Sequence, residues 1–165
     1  MKNRHLVIGQ DNSGKTKTFC FPEILKAKVK KIFYIGKSFD EIQLIKLKES
    51  KIDVININIE DLINLYQSKS KNRQIYILNS KEQIEFQNLM KCYINDRKSM
   101  IIINNISLIK NLELSQLLNI KNLLITNKDF NSLENILNYN SNKFLYSFKY
   151  RSYKSWKYNR KTQYK

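Results

Sequence analysis

A chain of 165 residues, 42% of them hydrophobic, can bury one sizeable core but is short for two ordinary domains. Its 27% charged fraction and ordinary aromatic content exclude a wholly disordered chain, and no run approaches the roughly 20 apolar residues of a membrane span. The net charge of +16, from 30 Lys and Arg against 14 Asp and Glu, points towards an acidic partner.

Taken in chain order, short apolar runs alternate with segments of helical period. Strands are expected at residues 5–8, 31–35, 54–59, 74–78, 100–103, 123–126 and 144–148. Phe86, Leu89, Met90, Tyr93 and Ile94 recur at three and four residues, as do Phe130, Leu133, Ile136 and Leu137, so both segments read as helices with one buried face. The polar stretch 67–73 reads as a loop. This alternation predicts an α/β fold, a three-layer domain over residues 1–148 with a mainly parallel sheet. The first strand is expected too early for a signal peptide, so a cytoplasmic location is expected. Cys20 and Cys92 lack metal-ligand spacing and read as reduced core thiols, and the lone His5 as structural.

Immediately after the first strand comes Gly9-Gln10-Asp11-Asn12-Ser13-Gly14-Lys15-Thr16, followed by Lys17. Two of the chain's three glycines stand at the spacing of a Walker A phosphate-binding loop. Phosphate oxygens need closely packed backbone N–H donors, which Cβ atoms would obstruct, and a following helix adds its N-terminal dipole. Lys15 is expected to reach the β- and γ-phosphates and Thr16 to hold Mg²⁺, so residues 9–17 form a binding site for ATP with magnesium.

Residues 9–25, with the strand and turn at 31–41 ending Gly36-Lys37-Ser38-Phe39-Asp40-Glu41, resemble the opening of the type IV secretion coupling proteins. These belong to the FtsK/HerA superfamily of DNA-pumping ATPases, which includes virus genome-packaging and filamentous-phage assembly ATPases. The later strands at 99–109 and 123–129 are similar in order to the family's Walker B and sensor strands. The resemblance implies a P-loop fold, Asn127 as a γ-phosphate sensor, a homo-oligomeric ring with an arginine supplied by a neighbour, and DNA with phage or secretion machinery as partners. Arg73 and Arg97 are exposed candidates for that arginine.

The chain departs from the family where acids are expected, because Asn104 and Asn105 occupy the place of the Walker B pair. A carboxylate holds a hard cation and accepts a proton, whereas a carboxamide does neither well. Adjacent Asn residues are also ordinary turn formers. Glu60, Asp61, Glu82 and Glu85 are alternative carboxylates, none at the expected strand end.

Residues 149–165 form a basic aromatic tail without an acid. Lys149, Arg151, Lys154, Lys157, Arg160 and Lys161 can neutralise phosphates, while Trp156 and neighbouring tyrosines can stack on bases. Such a segment also suits an acidic membrane or protein, and its early part can continue the last strand. Three functions are open: a small DNA-translocating or packaging ATPase, a non-hydrolysing nucleotide-binding subunit favoured by Asn104 and Asn105, and, less favoured, a small nucleotide kinase.

Overall fold

The computed structural model describes residues 3–9, 11–58, 60–63, 71–78, 83–95, 98–129 and 149–152. Its centre is a parallel sheet of seven strands: β1 (Asn3–Ile8), β2 (Lys31–Ile35), β3 (Ile52–Ile57), β4 (Arg73–Leu78), β6 (Met100–Asn104), β8 (Asn122–Asn127) and β9 (Lys149–Ser152), with the two-residue strands β5 (Ile84–Glu85) and β7 (Ile109–Lys110) paired separately. The spatial order is β3-β4-β2-β6-β8-β1-β9. Among the described residues the α-helices are α1 (Phe21–Lys26), α2 (Glu41–Glu49), α3 (Phe86–Asn95) and α4 (Leu114–Leu117).

Apolar residues occupy both faces of the inner strands, as a sheet covered on two sides requires. Ile32 and Tyr34 of β2 join the cluster containing Phe21 and Ile24 of α1 and Leu47 of α2. Phe33 and Ile35 join the opposite cluster, with Phe86, Leu89, Met90 and Tyr93 of α3 and Leu117 of α4. Crossovers through α1 and α2 travel towards the β3 edge, and those through α3 and α4 travel the other way. Opposite faces for opposite directions keep all four crossovers the same hand. The crossovers leaving the neighbours β2 and β6 therefore part to opposite faces, which opens a crevice beyond their C-terminal ends.

Local chemistry sets the helix starts. Pro22 supplies no N–H and its ring crowds the carbonyl four residues back, so the helix entering α1 is widened to a π turn over Thr16–Cys20, closed by the Phe21 N–H on the Thr16 carbonyl. Asp40 caps α2 through a reciprocal box, accepting from the Gln43 backbone at 2.8 Å while its own N–H donates to Gln43 Oε1 at 3.1 Å. Asp40 is thus committed to capping.

The strand expected at 54–59 lies two residues earlier, entered through Lys51 in a left-handed turn at φ 56°. The expected elements at 130–137 and 144–148 lie outside the described residues. Lys149, Tyr150 and Arg151, counted with the tail in the sequence, form the edge strand β9 beside His5, Leu6 and Val7 of β1. The backbone hydrogen-bonding of β1 recruits them, whatever their side-chain charge. Ending the chain after Ser152 should leave the melting temperature unchanged, whereas ending it after residue 148 should cost about 2 kcal/mol, or roughly 4–8 °C. Equal melting temperatures for the two truncations would place β9 outside the cooperative unit.

Candidate functional site

The loop after β1 is anchored to β8, since Ile8 pairs with Asn127 and the Gly9 N–H donates to the Asn127 carbonyl at 3.0 Å. Gln10 lies outside the described residues. Asn12 at φ 58° and Gly14 at φ 83° take left-handed conformations, which Asn tolerates and Gly adopts freely. The chain turns back there, and the Thr18 N–H closes the first helical turn on the Gly14 carbonyl at 2.9 Å. Lys15 is buried and arches over the loop, its ammonium donating to the Gly9 carbonyl and lying 3.5 Å from Ser13 Oγ. Burial lowers its pKa, opposed by the nearby Asp11 and Cys20. Asp11, Asn12 and Lys17 are exposed.

Thr16 reaches across the sheet to the end of β6. Asn104 Nδ2 donates to Thr16 Oγ1 at 2.9 Å and to the Tyr34 hydroxyl at 3.0 Å, while Thr126 Oγ1 donates to Asn104 Oδ1 at 2.6 Å. One carboxamide therefore ties the loop helix, β2, β6 and β8 together. All three partners are hydroxyls, able to donate or accept, so an amide turned by 180° satisfies the same contacts. In that orientation Thr16 donates to Oδ1 and keeps its oxygen lone pairs for a cation. Burial pushes the Tyr34 phenol well above its usual pKa, with the buried Cys20 thiol adding to the rise and Asn104 and Thr16 opposing it. Burial likewise pushes Cys20 up to about 12, so it stays a protonated core thiol. Cys92 has no described side chain.

Gly36, just beyond β2, completes this corner. A Cβ there would lie 2.9 Å from the Asn104 Cβ and 3.3 Å from both Asn104 Nδ2 and Tyr34 Cε1. All three glycines of the chain thus serve one end of the sheet, a clustering that sequence spacing reveals for Gly9 and Gly14 alone. Tyr34 and Thr126 escape a sequence reading because each sits inside an apolar strand and looks like core.

Asn105 does something different. Its side chain accepts from the Ser107 N–H at 3.1 Å and Ser107 Oγ at 2.8 Å, capping a short turn, with its backbone at φ 95° and ψ 109°. Asn127 is buried, its Nδ2 donating to the Asp129 carbonyl at 3.0 Å, beside the root of the loop. Glu60 and Asp61 follow β3, three strand spacings or about 14 Å from β6. Asp61 caps the Asn58 N–H, Glu85 accepts from Asn111 at 2.8 Å, and Glu82 lies outside the described residues. Arg73, expected to be exposed, is half-buried at the opposite end of the sheet, where it donates to the Ile24 and Leu25 carbonyls that end α1. Strand entry and an orphan helix C-terminus meet at that point, so the two terminal guanidinium nitrogens are engaged structurally. Arg97 lies outside the described residues, as do the basic and aromatic side chains beyond residue 152.

Among the described residues no three His, Cys, Asp or Glu side chains gather to hold a metal. Phosphate oxygens of a nucleotide would have to supply the negative ligands for Mg²⁺, with Thr16 as the protein oxygen and Asn104 behind it. Bound there, the ion would neutralise phosphate charge.

No protein-family model and no curated protein matches the chain. Among solved structures it is similar to the genome packaging NTPase B204 from Sulfolobus turreted icosahedral virus 2, in complex with ATP-gammaS. Identity is 10% and the TM-score 0.40, over 76% of this chain and 64% of that one. This chain therefore spans less than two thirds of that structure's length. The parallel α/β sheet, with a loop and helix at its carboxyl end, is an architecture of the P-loop type.

Gly36→Ala should force Asn104 away from Thr16, since the new methyl meets a Cβ and not a flexible tip. Overpacking of this kind costs about 1–3 kcal/mol, measurable by denaturant unfolding. A variant as stable as the parent would show that β2 and β6 can separate at this corner.

Proposed function

We propose that the chain binds ATP with Mg²⁺ at residues 9–16 and acts as a nucleotide-dependent subunit in DNA packaging or transfer, with slow hydrolysis. The observation that carries this reading is the hydrogen bond from the end of β6 to Thr16, beneath a lysine folded over the loop. A sequence motif alone predicts the loop. Contact between its terminal hydroxyl and the end of β6, the strand next but one to β1, is what a cation bridging nucleotide and protein requires. Lys15 supplies a mobile positive charge for phosphates, and exchanging its Gly9 carbonyl for a phosphate oxygen gains a charge-assisted bond. DNA as partner rests on the sequence resemblance and on the basic composition.

Slow turnover follows from Asn104 and Asn105. Neither carboxamide accepts a proton from an attacking water, and Asn105 is engaged with Ser107. This favours a nucleotide-gated structural subunit over a fast motor. The motor reading would demand hydrolysis that DNA stimulates, with the base supplied from elsewhere, such as a neighbouring subunit in a ring.

Saturation with ATP and Mg²⁺ at about 100 times Kd should stabilise the protein by about 2.7 kcal/mol, read as a rise in melting temperature. Lys15→Ala should abolish most of that rise while retaining the fold. A parent protein that stays folded and shows no shift at millimolar ATP would sink the nucleotide reading. Asn104→Asp should strengthen the dependence of ATP binding on Mg²⁺, because it places a charge behind Thr16. Turnover of several per second in the parent, unchanged by Asn104→Ala, would mean that the strand assignment is wrong.

A further inference from the structure

The end of the sheet opposite the nucleotide loop carries a pattern of its own. Five consecutive strands, β3, β4, β2, β6 and β8, are each entered through an exposed lysine: Lys51, Lys71, Lys30, Lys98 and Lys121. Strand register sets them side by side. Ile52 pairs with Arg73, Lys31 with Gln74, Ile32 with Met100, and Met100 with Asn122. The carbonyls of Lys30 and Lys121 bond to Gln74 and Asn3 on adjoining strands, at 2.8 Å and 2.7 Å, so the backbone of the row is part of the sheet. Beside it opens a cleft of about 360 Å³ lined by Asn3, Asn122 and Met100 from strand entries, with Lys26, Lys28 and Glu23 on its rim. Among the described residues the acids near these strand entries are Glu23, Glu49 and Asp53, fewer than the lysines.

We propose that this lysine-lined end of the sheet is a docking surface for the phosphate backbone of DNA, read without sequence preference. Four strand spacings make the row about 19 Å long. Phosphates of one strand of duplex DNA recur about every 3.4 Å along the axis, so the row spans about five or six of them. A line of cations whose backbones are fixed at strand entries suits a linear polyanion, since only the lysine side chains must be ordered when it binds. An anionic membrane surface would call for apolar side chains to enter the acyl boundary beside the cations. The large hydrophobic side chains exposed among the described residues are Ile42 and Ile45, in the first half of α2, which starts beyond the carboxyl end of β2. The row itself has none.

This inference takes DNA as partner from the proposed function but does not depend on the nucleotide loop, which lies at the other end of the strands. The experiment compares two triple variants of the full chain for binding to a short labelled duplex by fluorescence anisotropy across a salt series. The first, Lys30→Gln with Lys98→Gln and Lys121→Gln, removes three members of the row. The second, Lys46→Gln with Lys91→Gln and Lys110→Gln, removes the same charge from exposed positions elsewhere. Three lost phosphate contacts should flatten the slope of log affinity against log salt by about 2.7 in the first variant, and by less than about one in the second. Any contribution from the C-terminal residues is common to both. Equal slopes for the two variants, or a parent that binds phosphatidylserine vesicles but not the duplex, would overturn the proposal. The melting shift with ATP should persist in the first variant. Its absence in parent and variants alike, with the slope difference intact, would count against the nucleotide reading only.

Discussion

The arrangement of the site hangs on one half-buried carboxamide. Asn104 has two amide hydrogens and one carbonyl oxygen to satisfy in a corner that it shares with Gly36, and it meets Thr16, Tyr34 and Thr126. Leaving such a group unpaired costs about 1–3 kcal/mol, so these contacts are mutually enforcing. They fix where the helix after the loop starts, how closely β2 approaches β6, and how far β8 extends. The nearness of Gly36 follows from the same constraint, because any side chain there would occupy the place of the amide.

Neutrality is the chemical consequence. Tyr34, Thr16, Asn104 and Thr126 carry no charge between them, and burial holds Tyr34 and Cys20 in their protonated forms. The positive charge of Lys15 has Asp11 near it as an electrostatic partner. Among the described residues these neutral groups offer a bare divalent ion no charged ligand. They also provide nothing that would take a proton from water.

Parallel strands give the two ends of the sheet different characters. Every strand starts at one end and finishes at the other, so a residue preference at strand entries becomes a row and one at strand exits becomes a cluster. Here lysines gather at entries and asparagine, glycine and threonine at exits. Helices on alternate faces, held by the same-handed crossovers, cover the flanks of the sheet.

Much of the fold was legible in the sequence, because apolar runs of strand length alternating with helical periods have few other solutions. The loop at 9–16 was legible for a similar reason: glycine at two fixed spacings, after a strand, is demanded by backbone approach and not by remote contacts. The corner at Asn104 was legible only in part. Its place at a strand end could be read, but its bonds to Tyr34 and Thr126 could not, because they join strands separated in sequence by 70 and 22 residues. The roles of Arg73 and Asp40 were hidden too, since capping depends on which helix end a side chain meets. Lysines 30, 51, 71, 98 and 121 look unremarkable along the chain. Only the strand order decides that they stand next to one another, because adjacency in a sheet is set by crossover direction and hydrogen-bond register, neither of which is written locally in the residues themselves.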